Sequence, residues 1–304
     1  MPQIAANGLS FEYQDVGPRG GEAVLLIMGL GGQMTRWPPA MIEALTGRGF
    51  RVVSFDNRDV GLSAKLEAAG PPDIPAVLEA MARGAKPPVA YTLHDMAADA
   101  AGVLEALGIA RAHIVGASMG GMIAQLVAAD HPAKTASLTS IMSTTGNPEL
   151  PRATPEAMAV ITQRGPDPRQ DLEGFLAHTV KGARTIGSPA WPGNEAEIRE
   201  RALSDFRRSF YPVGFARQYA AVIATGDWRE RLKRITAPTV IVHGADDPLV
   251  PLEGGRDTAA NIAGAELVVI EGMGHDLPVP VLPRIVEAIA RAAERAGKEG
   301  RAAA

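Results

Sequence analysis

Ser118 stands in the pentapeptide Gly116-Ala117-Ser118-Met119-Gly120, directly after the apolar run His113 to Val115 and directly before a helical pattern. A serine hydroxyl is a weak nucleophile until a base removes its proton. A tight strand-to-helix turn can lift it clear of a sheet, but only if its neighbours are small, because the backbone there is strained and runs close to adjacent elements. Gly116 and Gly120 meet that requirement. The helix start would aim the Met119 N–H at the place where an oxyanion forms. The chemistry in view is attack on a carbonyl.

Such a serine needs a base, and the chain holds six histidines. His94 lies in a helical pattern, His113 begins a strand, His131 closes a helix, His178 sits among helices and His243 ends a strand. His275 differs from them, lying in the loop Gly272-Met273-Gly274-His275 after a late strand. Loops at the carboxyl ends of parallel strands gather on one side of a sheet, so this loop can reach Ser118 across a long sequence gap. A carboxylate must then orient the imidazole. His243-Gly244-Ala245-Asp246-Asp247-Pro248 supplies one on another such loop, with Asp247 the choice and Asp246 the reserve. The order serine, acid, histidine matches the one expected when the serine sits on such a strand-to-helix elbow.

Stepping outward, apolar runs bounded by turn residues mark strands at Ala23 to Met28, Arg51 to Phe55, Ala112 to Val115, Ala136 to Met142, Thr239 to His243 and Glu266 to Ile270. An antiparallel pair precedes them over Gln3 to Asp15, turning at Asn7-Gly8. Helical patterns at Pro38 to Gly47, Thr92 to Leu107 and Met119 to Ala129 alternate with the strands, which predicts an α/β fold with a mostly parallel eight-stranded sheet. From residue 146 to residue 226 no strand is legible. Asn194 with Glu197 opens a helix through Phe210 there. Phe175, Trp191, Phe206, Phe210, Tyr211, Phe215, Tyr219 and Trp228 fall in this stretch or just past it, which suggests a helical cap over an apolar pocket. The expected division is a core of residues 1–145 and 227–304 with a cap insertion at 146–226. Arg291 to Ala304 reads as a helix end that frays.

Composition excludes several alternatives. A formal charge of -4 leaves no basic surplus for nucleic acid. The absence of cysteine rules out disulfides, thiolate nucleophiles and Cys-ligated metals. No spacing of histidines and carboxylates suggests a catalytic metal, and Gly29-x-Gly31 is no dinucleotide site, since Met34 replaces the next glycine and Trp37-Pro38-Pro39 follows where a helix should run. No cofactor is expected. Met1 to Phe11 has no basic segment leading into an apolar run, and no stretch is apolar enough to span a bilayer. A cytoplasmic location is the expectation, and a homo-oligomer is compatible with it.

From Gly8 to about Glu287 the chain resembles the α/β-hydrolase superfamily, on the serine elbow, the Phe55-Asp56-Asn57-Arg58-Asp59-Val60-Gly61-Leu62-Ser63 segment, and Leu249-Val250-Pro251 after Asp247. Within it the chain is similar to carboxylesterases and methylesterases related to aclacinomycin methylesterase. The resemblance gives the Asp56 segment a structural role and favours Asp247 over Asp246 as the acid. Where many members carry His-Gly in the oxyanion loop, this chain has Met28-Gly29-Leu30-Gly31-Gly32, which leaves the Leu30 backbone N–H as the expected second oxyanion donor beside Met119. What it implies is a serine carboxylic ester hydrolase working through an acyl-enzyme on a small-molecule ester, and the aromatic cap suggests a medium-sized apolar one. A cofactor-free haloperoxidase-like perhydrolase and a C–C bond hydrolase would use the same residues, and a ligand-binding protein without turnover could share the fold.

Overall fold

The computed structural model describes residues 2–302. Eight strands, β1 (Gln3–Ala6), β2 (Leu9–Val16), β3 (Ala23–Ile27), β4 (Arg51–Phe55), β5 (Ala112–Ala117), β6 (Thr135–Ile141), β7 (Thr239–Gly244) and β8 (Glu266–Ile270), form one sheet in the order β1-β2-β4-β3-β5-β6-β7-β8. The pairs β1–β2 and β2–β4 are antiparallel and all others parallel. Asn7 and Gly8 turn the first hairpin with φ of 46° and 76°, the two positive values its tight turn demands.

Eleven α-helices accompany the strands among the described residues: α1 (Pro39–Gly47), α2 (Ile74–Ala82), α3 (Leu93–Ala106), α4 (Met119–Asp130), α5 (Pro155–Thr162), α6 (Leu172–Ile186), α7 (Glu195–Arg208), α8 (Pro212–Thr225), α9 (Arg229–Leu232), α10 (Leu252–Ala260) and α11 (Leu282–Ala302). Alternate residues of the central strands face opposite sides, so an unbroken apolar run feeds two cores. Leu25, Ile27, Phe55 and Ile114 pack with Leu93, Met96 and Ile123 of α3 and α4. Val24, Leu26, Val115 and Val242 pack with Met41 and Leu45 of α1 and Ile285 and Ile289 of α11.

Strand order reverses at β3, whose neighbours are β4 on one side and β5 on the other. The two chains leaving the carboxyl ends of β3 and β5 therefore diverge and open a crevice, the usual ligand position in open α/β sheets. The loop after β3 carries Leu30 and the turn after β5 carries Ser118.

Between β6 and β7 the chain forms α5 to α9 and, among the described residues, no strand. Asn194 caps α7, its Oδ1 accepting from the Ala196 N–H at 2.8 Å and the Glu197 N–H at 3.4 Å. The helix stops at Arg208, short of the expected Phe210, because the chain turns extended at Ser209 and restarts at Pro212, whose ring is compatible only with a first turn. Helix α11 extends to Ala302, and the rest of the expected frayed tail, Ala303 and Ala304, lies outside the described residues. Among the described residues no helix is long and apolar enough to cross a membrane.

Candidate active site

Ser118 has φ 57° and ψ -122°, a conformation that β-carbon-bearing residues seldom adopt and that marks stored strain. The turn is held on both sides. The Ser118 N–H donates to the Ile141 carbonyl at 2.9 Å, and the Ser143 hydroxyl donates to the Ser118 carbonyl at 2.9 Å. The flanking glycines are required by proximity: a Cβ on Gly116 would lie 2.0 Å from the Gly120 carbonyl oxygen, and one on Gly120 would lie 2.0 Å from that of Ile27.

His275 is brought to this serine from 157 residues away, with Nε2 2.9 Å from Ser118 Oγ. Its Nδ1 lies 2.7 Å from Asp247 Oδ2. The other carboxylate oxygen of Asp247 accepts the Leu249 and Val250 N–H groups, both at 2.9 Å, so the acid is locked by its own turn. Its side chain is fully buried and that of His275 nearly so. In low dielectric such charge-assisted contacts gain strength, and the geometry assigns Nδ1 as the protonated nitrogen facing the acid and Nε2 as the acceptor facing the serine. Asp246 points elsewhere. Its Oδ2 accepts the Gly272 N–H at 2.8 Å and its N–H donates to the Met273 carbonyl at 3.1 Å, tying the acid loop to the histidine loop.

The glycine loop lies against the serine, since a Cβ on Gly29 would stand 3.1 Å from Ser118 Cβ. Residues 29 to 32 make a turn closed by the Gly32 N–H on the Gly29 carbonyl at 3.0 Å, with Gly31 at φ 65°, as a type II turn requires at its third position. Asn57 Nδ2 holds the Met28 carbonyl at 2.9 Å and Asp56 Oδ1 accepts the Met34 N–H at 2.8 Å. The segment the resemblance made structural thus anchors both ends of this loop. Among the described residues neither the Leu30 nor the Met119 N–H donates to a protein acceptor.

The sequence did not point to several neighbours. Ser188, from the stretch after α6, donates its N–H and hydroxyl to Asp276 Oδ1 at 3.0 and 2.5 Å and accepts the Gly274 N–H at 2.9 Å, while the His275 N–H donates to the Ile186 carbonyl at 2.7 Å. Burial pushes the Asp276 carboxyl above its usual value despite these donors. Buried His243 donates from Nε2 to the Val250 carbonyl at 2.8 Å and lies 3.8 Å from Asp247 Oδ2; burial pushes its pKa down, which keeps it neutral beside the acid. These residues are common types whose partners lie far away in sequence, so no spacing announces them.

A cavity of about 300 Å³ opens beside Gly31, walled by Phe175, Phe206, Phe210, Tyr211 and Phe215, with Arg36, Asp205 and Gln33 at its polar side. Arg36 pairs with Asp205. Three of the expected pocket aromatics do not line it: Trp228 is buried with its Nε1 donating to Gln125 at 2.9 Å, Trp191 packs against the core shared with α11, and Tyr219 of α8 is not among its walls. Among the described residues no cluster of three or more side chains could hold a metal ion.

The family described as alpha/beta hydrolase fold matches residues 22–279. The chain is 29% identical over 272 residues to the Variovorax paradoxus (strain S110) protein named "Putative carbamate hydrolase RutD", covering 88% of this chain and 90% of that one. It is 27% identical over 309 residues to rhodomycin D methylesterase DauP of Streptomyces sp. (strain C5), covering 94% and 95%. Its fold is similar to a meta-cleavage product hydrolase (CumD) of Pseudomonas fluorescens IP01, with a TM-score of 0.75, 20% identity and coverage of 97% and 98%.

Proposed function

The chain belongs to the α/β-hydrolase fold family, and from that premise we propose that it is a serine hydrolase cleaving carboxylic ester bonds through an acyl-enzyme. The observation that carries the reading is the continuous line from Ser118 Oγ through His275 to Asp247, with contacts of 2.9 and 2.7 Å. The similarity to a methylesterase over 94% of the chain favours an ester as substrate.

In this mechanism His275 Nε2 accepts the Ser118 proton as Oγ bonds to the carbonyl carbon. The carbonyl oxygen becomes an oxyanion held by the Leu30 and Met119 N–H groups, which need no reorganisation because no protein acceptor competes for them. Collapse breaks the ester C–O bond, and His275 returns the proton to the departing alcohol oxygen. Water then attacks the acyl carbon by the same route in reverse, giving the acid and free Ser118. Asp247 stays ionised throughout and stabilises the imidazolium. Residues 1–145 and 227–304 form the hydrolase body in this reading, and 146–226 a cap whose phenylalanines receive an apolar acyl or alcohol group in the 300 Å³ cavity.

Hydrolysis of p-nitrophenyl acetate, butyrate and octanoate by wild type and Ser118→Ala tests it. Repeated wild-type turnover with a loss on the order of 10⁴-fold or more in kcat for the variant supports the acyl-enzyme; equal inactivity of both proteins on every ester overturns the esterase reading. The 29% identity to a protein named for carbamate hydrolysis favours a second reading, attack on a carbamate carbonyl by the same groups. Faster turnover of p-nitrophenyl carbamate than of the esters would select it.

A further inference from the structure

Gln218 lies in α8, in the helical insertion, and is fully buried. Its Oε1 accepts the Gly31 N–H at 2.8 Å and its Nε2 donates to the Arg58 carbonyl at 2.7 Å. One amide thus bridges the glycine loop and the segment after β4. The rest of α8 holds that amide in register: Arg217 pairs with Asp59 at 2.7 Å, and a Cβ on Gly214 would lie 2.0 Å from the Asp59 carbonyl oxygen. Phe215 covers Gly31 from the same helix, 2.5 Å from where a Cβ on that glycine would stand.

The consequence falls on the neighbouring peptide. The loop offers three N–H groups in succession at Leu30, Gly31 and Gly32. Gly32 closes the turn on Gly29, and Gly31 is taken by Gln218. With both engaged, the Gly31 N–H cannot compete for substrate and the turn cannot rotate about the Leu30–Gly31 peptide without leaving a half-buried donor and a buried acceptor unpaired, which is costly. Of these three, the Leu30 N–H is the one left without a protein acceptor, and its direction is fixed by the two engaged peptides that follow it.

We propose that Gln218 is a positioning residue for the oxyanion site: an insertion side chain that sets the Leu30 N–H by holding Gly31, and so makes transition-state stabilisation depend on how α8 is docked. This deepens the acyl-transfer reading above and rests on it. Gln218 touches no reacting atom, so its loss should act on kcat and leave KM nearly unchanged, because a carbonyl in the ground state takes less from an oxyanion donor than a tetrahedral oxyanion does.

The test compares wild type with Gln218→Leu, which removes both polar contacts. Two quantities are read on folded protein: kcat and KM for p-nitrophenyl butyrate, and the rate at which diethyl p-nitrophenyl phosphate modifies Ser118, releasing p-nitrophenolate as the serine oxygen bonds to phosphorus. Gln218→Leu is expected to lower kcat on the order of 10²-fold with KM nearly constant and to slow phosphorylation in parallel. A folded Gln218→Leu with wild-type kcat and phosphorylation rate overturns the proposal, as does a loss that appears in thermal stability or KM alone. If Gln218→Leu does not fold, Gln218→Asn, which withdraws the amide by one methylene, is read by the same criteria. A wild type that turns over no ester refutes the proposed function instead, and the phosphorylation comparison still decides the role of Gln218.

Discussion

Arg217 forks onto Asp59 with Nε and one Nη 2.8 and 2.7 Å from the two carboxylate oxygens, and both side chains are almost wholly shielded, at 2% and 0% exposure. The contact joins α8 to the loop after β4, 158 residues away in sequence. Breaking one partner of such a pair leaves a buried charge without compensation. Arg217→Met is expected to destabilise the protein by about 3–5 kcal/mol, measured by urea unfolding at pH 7.

The same pair makes stability fall in acid. Burial alone would raise the Asp59 carboxyl, but hydrogen bonds from Arg217, the Leu66 N–H and the Tyr91 hydroxyl hold it below its usual 3.8. A carboxylate depressed in the folded state contributes stability that is complete above its unfolded value and is lost as pH drops through its folded one. Unfolding free energy should therefore decline below about pH 4, and Arg217→Met should show a shallower decline over that interval. Urea midpoints between pH 2.5 and 6 check this; identical slopes would count against Asp59 as a source.

Asp247→Asn should reduce kcat on the order of 10³- to 10⁴-fold with little change in melting temperature, because an amide next to Nδ1 favours the wrong imidazole tautomer. Asp246→Asn should stay close to wild type, since its oxygen serves only the Gly272 N–H, which an amide oxygen can also accept. A larger loss at Asp246 than at Asp247 would reverse their roles.

Gly120→Ala places a methyl group 2.0 Å from the Ile27 carbonyl oxygen and 2.8 Å from that of Met28, both backbone atoms where β3 passes into the glycine loop. Neither can rotate away. A cost of about 3 kcal/mol or more is expected, above the usual range for overpacking by one carbon, together with a fall in kcat as the elbow and the loop are pushed apart. Thermal melts and p-nitrophenyl butyrate turnover measure the two effects separately.

Phe206→Ala enlarges the 300 Å³ cavity, removing a ring that packs edge-to-face on Phe210 at 5.7 Å. If the acyl chain enters there, kcat/KM for p-nitrophenyl octanoate relative to acetate should rise roughly tenfold. An unchanged ratio would place the acyl chain elsewhere.

The elbow around Ser118, the glycine loop after β3 and the loop bearing His275 were legible in the residues because each is a local demand of the backbone. A strained turn needs glycine on both sides of the serine, and a type II turn needs glycine at positive φ. Buried parallel strands show as unbroken apolar runs, so the order of the elements could be read as well. Which residues complete the site was a matter of tertiary structure. The resemblance favoured Asp247 over Asp246, but it is the packed loops that send Asp247 to His275 and Asp246 to Gly272, for both are aspartates on the same turn. Only the docked insertion brings Gln218 to Gly31 across 187 residues, and Arg217 to Asp59. A glutamine in an amphipathic helix looks the same in sequence whether it faces water or a buried N–H. The direction it takes is decided by how α5 to α8 settle on the sheet, which depends on side-chain packing across the chain and not on any period along it.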